Sequence, residues 1–310
     1  MTTITASMVK DLREQTGVGM MDCKKALNEN GGDVAAAIDW LRAKGLSKAA
    51  KKSDRIAAEG LIGVTASGPQ GAVVEVNAET DFVARNEQFQ AMVRAIASLA
   101  PEASGDAAQL LAMAYPGKSD TVEAVITESI ATVGENMTLR RTAVVDVSEG
   151  VVAGYVHNKV SDGLGKIGVL VGLESAGDPE KLLGFGRQLA MHIAAVAPLA
   201  VNADELDQDI IAKERAIYVE QAQASGKPPE IIAKMVEGRL RKEYFQQVVL
   251  LQQTFVVDGK ATVEQALKAF EKELGAAVKV TQFVRYGLGE GIEKKADDFA
   301  AEVAAAASGS

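Results

Sequence analysis

Cysteine is nearly missing from this 310-residue chain, with Cys23 standing alone. One thiol excludes an intrachain disulfide and any zinc site built on cysteines, and it points to a reducing compartment. Histidine is almost as scarce: His157, in "GYVHNK", and His192, in "LAMHIAAV", are the only two. Neither stands near a nucleophile or ligand motif, and His192 reads as a packed helix residue, so a metal site or histidine catalysis finds no support. Long apolar runs are lacking as well. Nothing approaches the roughly 18 residues of a membrane span, and "MTTITASMVKDLREQ" carries no apolar stretch of the kind a signal peptide needs. The expectation is a cytoplasmic protein that meets no membrane. Positive charge is in deficit too, and a net charge of -9 argues against general nucleic-acid binding.

What remains is a chain long enough for two or three domains with real cores. The first 45 residues read as three short helices: "TASMVKDLREQTG" with Thr5 or Ser7 as cap, "MMDCKKALNENGG", and "DVAAAIDWLRAKG" from Asp33 to Gly45. Met8, Val9, Leu12, Leu27, Val34, Ile38 and Leu41 are spaced to face inward together. Met20 and Met21 follow the Gly-Val-Gly loop, where one suits the core and the other a binding surface. "KGLSKAAKKSDR" then marks a boundary as a basic linker or solvated helix.

Two later segments look like copies of one another. Glu59 to Pro101 and Glu149 to Pro198 each contain Glu-Gly, a strand, a Gly-rich turn, a second strand and a helix ending at Ala-Pro. Strands at "LRRTAVVDV" and "AAVKVTQFVRYG", each after a helix, extend the copies. The predicted class is α+β: an N-terminal three-helix (UBA-like) bundle, a duplicated αβ core with antiparallel sheets, a protruding antiparallel helical hairpin and a C-terminal helix. The corresponding divisions are 1–54, 55–148, 149–285 with the hairpin inserted at about 203–249, and 286–310. In the hairpin, Leu206, Ile210, Ile217 and Ala222 are expected to face Ile232, Met235, Val236 and Val248.

Motifs for chemistry are few. "GLGKIG", Gly163 to Gly168, fits a dinucleotide fingerprint in letters only, since it leads into a strand instead of opening a helix, and it reads as a hairpin turn. No pair of acidic residues is singled out by spacing. The chain is therefore read as no enzyme, with no cofactor and no metal. The copies differ at one place: "AETDFVARNE" in the first stands where the second has "LESAGDPEKL". The unshared pair Asp81-Phe82 is either a turn folded onto its own sheet or a wedge offered to a partner, and residue physics alone leaves both readings open.

"GMMDCKKAL", "EVNAETDFVARNEQF", "SGKPPEI" and "GEGIEKKADDFAAEVA" resemble the bacterial elongation factor Ts family, with matches in order from residue 4 to about 305. The resemblance implies a guanine-nucleotide exchange factor for the GTPase elongation factor Tu. It implies that the bundle, through Val18, Met20 and Met21, and the C-terminal helix grip the nucleotide-binding domain. Thr80, Asp81, Phe82 and Val83 would intrude beside the switch region and disturb the magnesium site, while His157 would touch another domain and the hairpin can serve homodimerisation. One departure is a longer stretch, 158–166, between His157 and the following strand. The alternative is an adaptor or chaperone that binds a GTPase without exchanging its nucleotide.

Overall fold

A computed structural model describes residues 4–293. Thr5 opens helix α1 (Ala6–Thr16) by accepting from the Met8 N–H, and Gly17 ends it at φ 66°, a left-handed backbone that costs little only without a Cβ. Helix α2 (Met20–Glu29) and helix α3 (Val34–Ala50), the latter capped by Asp33, complete the bundle. Val9, Leu12, Leu27 and Leu41 are buried together, with Met8, Val34 and Ile38 against them, as their spacing predicts. One boundary differs from expectation: α3 does not stop at Gly45 but runs five residues further, to Ala50. There the glycine serves close approach, because a Cβ on it would lie 3.1 Å from that of Ala131 in a later helix. Ala49 is buried in the next core, and Lys44 and Lys48 each reach the Asp22 carboxylate at 2.8 Å. The first part of the basic stretch is thus a helix face paired to α2, and its remainder, from Lys51, lies beyond the helix.

Strands β1 (Glu59–Ser67) and β2 (Gln70–Ala78) form an antiparallel hairpin with Glu59 opposite Ala78. Helices α4 (Asp81–Ala84), α5 (Glu87–Leu99), α6 (Ala107–Ala112) and α7 (Val122–Val133) follow, and strand β3 (Met137–Asp146) returns to pair with β2. The second half repeats this with β4 (Gly150–His157), a short β5 (Leu164–Gly165), β6 (Ile167–Glu174) and helix α8 (Pro179–Val196). Helices α9 (Gln208–Gln223), α10 (Pro229–Arg239) and α11 (Phe245–Val248) intervene before α12 (Val263–Leu274) and β7 (Lys279–Gly287). The sheets run β3-β2-β1-β5 and β4-β6-β7, every named pairing antiparallel.

The duplication survives in backbone detail. Each sheet has a register shift at the same point, between Glu75 and Val76 in one and Gly172 and Leu173 in the other. Gly60 and Gly150 both sit at positive φ, where a Cβ would collide with the carbonyl oxygens of Val76 and Leu173. A threonine caps α7 and α12 alike, Thr121 and Thr262, and Gly134 and Gly275 close them. The sheets stack face to face through Ile62, Val73, Val145, Val152 and Leu170. Helices α5 to α7 cover the outer face of the first sheet and α8 and α12 that of the second, giving a helix–sheet–sheet–helix order.

In the inserted helices, Tyr218 and Ala222 of α9 meet Val236 of α10 and Leu240 beyond it. The expected inward face is corrected here: Ile210 and Ile217 are exposed, and Ile211 and Tyr218 point inward in their place. Adjacent apolar pairs, Ile210-Ile211 and Ile217-Tyr218, permit two phases about 100° apart, and the pattern alone cannot choose between them. The Arg239 guanidinium lies 4.2 Å from the centre of the Tyr218 ring, which favours the observed phase. "GLGKIG" lies in the connection leading into β6, but it is only partly a turn: Leu164–Gly165 form strand β5 on β1, and the Val64 N–H donates to the Gly163 carbonyl at 2.9 Å. The C-terminal helix expected over 286–310 lies, from residue 294 on, outside the described residues.

Candidate functional site

Strand β2 ends buried, with Val76 and Ala78 in the core, and delivers the chain to Glu79 and Thr80 at the rim. Helix α4 is one turn long. Successive residues of a helix turn by about 100°, so a turn that buries two neighbours must push the flanking ones outward. Val83 and Ala84 go into the core, while the Phe82 ring is 74 % exposed. Seven residues on, Phe89 is buried on the inner face of α5. The ring at 82 is therefore not folded onto its own sheet.

Val83, the fourth residue of the expected contact set, is buried in the free chain in the cluster that holds Leu61 and Val93, so its side chain anchors the turn. Asp81 stands at the rim beside Arg85, 3.0 Å away in an i,i+4 pair. Asn86 accepts from the N–H groups of Gln88 and Phe89, starting α5 immediately behind the turn.

Thr80 is held from outside. Its N–H and its hydroxyl both donate to Glu135, at 3.0 and 2.7 Å. Glu79 in turn accepts from the Asn136 N–H at 2.5 Å, and Arg55 lies 3.4 Å from the same carboxylate. Sequence reasoning missed Glu135 and Asn136, because polar partners 55 and 57 positions away carry no periodic signal. Glu75, fully buried on β2, was missed for the same reason. Burial drives its carboxyl upward, but the Gly289 N–H, the Arg141 guanidinium and the Asn77 amide outweigh that and hold it below the usual carboxylate range.

The bundle presents a second apolar surface. Met20 and Met21 are both exposed, where one had been expected inside, and Val18 packs partly against the bundle core. His157 lies exposed at the end of β4, with its Nδ1 3.1 Å from the Tyr155 hydroxyl. The longer stretch after it turns back to β1, and Arg94 donates to Ser161 at 3.1 Å. His192 is buried as expected: the Val256 N–H donates to Nδ1 at 3.3 Å and Nε2 meets Gln253 at 2.9 Å. Desolvation holds its pKa below the ordinary value. Among the described residues, no helix is long and apolar enough to cross a membrane.

An α+β chain with stacked antiparallel sheets, a braced turn bearing an outward ring and a bundle with outward methionines has the makings of a protein-binding factor. The chain belongs to the elongation factor Ts family: the Elongation factor TS family model matches residues 79–290. Elongation factor Ts of Parvibaculum lavamentivorans is 60 % identical over 309 residues, all of both chains. That of Rhizobium meliloti is 57 % identical, covering 99 % of this chain and 100 % of its own. The Rhodospirillum rubrum relative is 58 % identical over 98 % of this chain and 99 % of its own. The chain is thus a translation elongation factor, and its family implies nucleotide exchange on elongation factor Tu.

Proposed function

We propose that this chain speeds GDP release from elongation factor Tu by inserting Phe82, with Asp81 beside it, near the switch region so that the magnesium site is disturbed. The observation that carries this reading is a large ring held out in water by a turn whose next two residues are locked in the core. Such exposure stabilises nothing in the free protein and becomes useful only when a crevice takes the ring.

Magnitudes show that the ring cannot act alone. Moving a two-state equilibrium from 1:99 to 99:1 takes about 5.5 kcal/mol of differential binding. Burying one phenylalanine supplies roughly 1.5–3 kcal/mol. Other contacts must therefore also favour the nucleotide-free GTPase. Met20, Met21 and Val18 of the bundle are the proposed source, with His157 touching a second region of the partner. Reciprocity then governs turnover: a factor that weakens GDP binding is itself bound more weakly, in the same ratio, by the GDP form. The factor leaves when nucleotide returns, and undergoes no covalent change.

The proposal extends to organisation. The chain divides near residues 54, 148 and 285, the bundle is UBA-like, and α9 with α10 forms a protruding hairpin able to pair two copies. It works in the cytoplasm without contacting nucleic acid or membrane.

Stopped-flow release of fluorescent GDP from elongation factor Tu tests the central step. Phe82→Ala is expected to slow factor-stimulated release by ten- to a hundredfold, the order given by losing roughly 1.5–3 kcal/mol, while its circular dichroism stays native. Wild-type release by Phe82→Ala would exclude the wedge. Wild-type binding with no acceleration of release by the unaltered chain would indicate the adaptor instead.

A further inference from the structure

Helix α4 is too short to fix its own direction, since a single turn forms one or two hydrogen bonds against the full cost of nucleation. Thr80 occupies its capping position but makes no capping bond. Its hydroxyl is committed elsewhere, to Glu135, as is its N–H. Glu79 returns the arrangement by accepting from the Asn136 N–H. Two neighbouring residues of one turn and two of another thus hold each other by reciprocal carboxylate–amide bonds.

The same clasp reaches the bundle. The Asn136 side-chain amide, largely buried, donates to the carbonyls of Ser53 at 3.3 Å and Arg55 at 2.8 Å. The Lys52 ammonium donates to the Gly134 carbonyl, one residue before Glu135. The chain leaving α3, the turn between α7 and β3 and the turn bearing Phe82 therefore meet at one junction.

We infer that Glu135 is a positioning residue for nucleotide exchange: through Thr80 it holds the Phe82 turn in the orientation that enters the partner, and through Asn136 it registers that turn against the bundle. This rests on the exchange reading above. Val83 and Ala84 fix one side of the turn by burial, and Glu135 fixes the other by two hydrogen bonds. Without the second restraint the ring samples directions that miss the crevice, and ordering it is charged against the step in which it inserts. Loss should therefore appear in the maximal release rate, with little change in the factor concentration giving half-maximal effect.

Release of labelled GDP is measured over a range of factor concentrations for Glu135→Ala, Thr80→Val and Thr80→Ser, each in the full chain and again together with Phe82→Ala. Glu135→Ala and Thr80→Val are expected to lower the plateau rate about three- to tenfold, the size of one or two lost hydrogen bonds, with half-saturation within about twofold. Thr80→Ser, which keeps the hydroxyl, is expected to retain the wild-type plateau. On the Phe82→Ala background, Glu135→Ala should add nothing, because the ring it positions is gone. A wild-type plateau for Glu135→Ala overturns the inference, as does an undiminished loss on the Phe82→Ala background. Should Glu135→Ala fail to fold by circular dichroism, Thr80→Val decides by the same criteria. If Phe82→Ala alone releases GDP at the wild-type rate, the wedge reading falls and this inference with it; a slow Phe82→Ala beside a fast Glu135→Ala sinks the inference only.

Discussion

Phe82 and Val83 are adjacent apolar residues with opposite fates, 74 % and 5 % exposed. The larger of the two is outside, against the ordinary ranking of hydrophobic burial, so local packing is not what selects it. The two positions should therefore separate cleanly by experiment. Val83→Ala removes buried methyl groups and leaves a small cavity, at a cost of about 1.5–2.5 kcal/mol in urea unfolding. Phe82→Ala should leave the urea midpoint within about 0.5 kcal/mol of wild type, the range for exposed substitutions. Equal losses of stability in both variants would mean that the ring is supported by its own subunit after all. That an acid–ring pair interrupts a repeated unit was legible in the sequence. Which way the ring points was not, because an apolar residue in a connection obeys no period and one turn of helix supplies the direction.

At the scale of elements, capping residues and glycine stops made most helices of the bundle readable, and Thr5, Gly17 and Asp33 stand where those rules put them. Gly45 misled, since the same residue that ends a helix also lets two helices touch, and only the neighbour Ala131 decides which. On α9, Ile210 and Ile217 were each off by one residue for want of a similar arbiter, while Ala222 faces inward as expected. The α2–α3 contact has an electrostatic component open to test. Asp22 accepts from Lys44 and Lys48, which lower its pKa from 3.8 to about 2. A carboxylate lowered on folding stabilises the fold at pH values above about 4, and that contribution disappears as the pH falls through about 2. Because the pair sites are a third exposed, the contribution is under about 1 kcal/mol. Trp40, the only tryptophan, lies in α3 with the Lys44 ammonium 4.8 Å from its ring, so its fluorescence follows this bundle. By that signal Asp22→Asn should unfold at lower urea than wild type at pH 7, with the gap closing at pH 2. A gap that persists undiminished at pH 2 would assign the effect to packing.

Across the whole molecule, the two sheets are joined by apolar contact over most of their shared face and by charge at one edge. Glu75 is fully buried there, with Arg140 at 3.1 Å, Arg141 at 2.5 Å and the Gly289 N–H at 2.8 Å, a partner 214 positions away. Arg140 and Arg141 also donate to the carbonyls of Glu290 and Gly287, so one carboxylate organises the chain just beyond β7. Removing the carboxylate strands the Gly289 N–H and two arginines that are 28 % and 30 % exposed, so the cost falls short of the about 3–5 kcal/mol of a fully buried pair but exceeds that of a surface pair. Glu75→Ala is thus expected to lower the urea midpoint far more than its lost volume would, with Asp22→Asn as a mild comparison. Local opening should precede the global loss: hydrogen exchange at Gly289 should accelerate in Glu75→Ala under conditions where the amides of β1 and β2 remain protected. Equal acceleration along β2 would mean that the carboxylate supports its own strand and that the turn after β7 is held by other contacts. Faster exchange confined to Gly289 would place the clasp where the geometry does, at the turn just beyond β7.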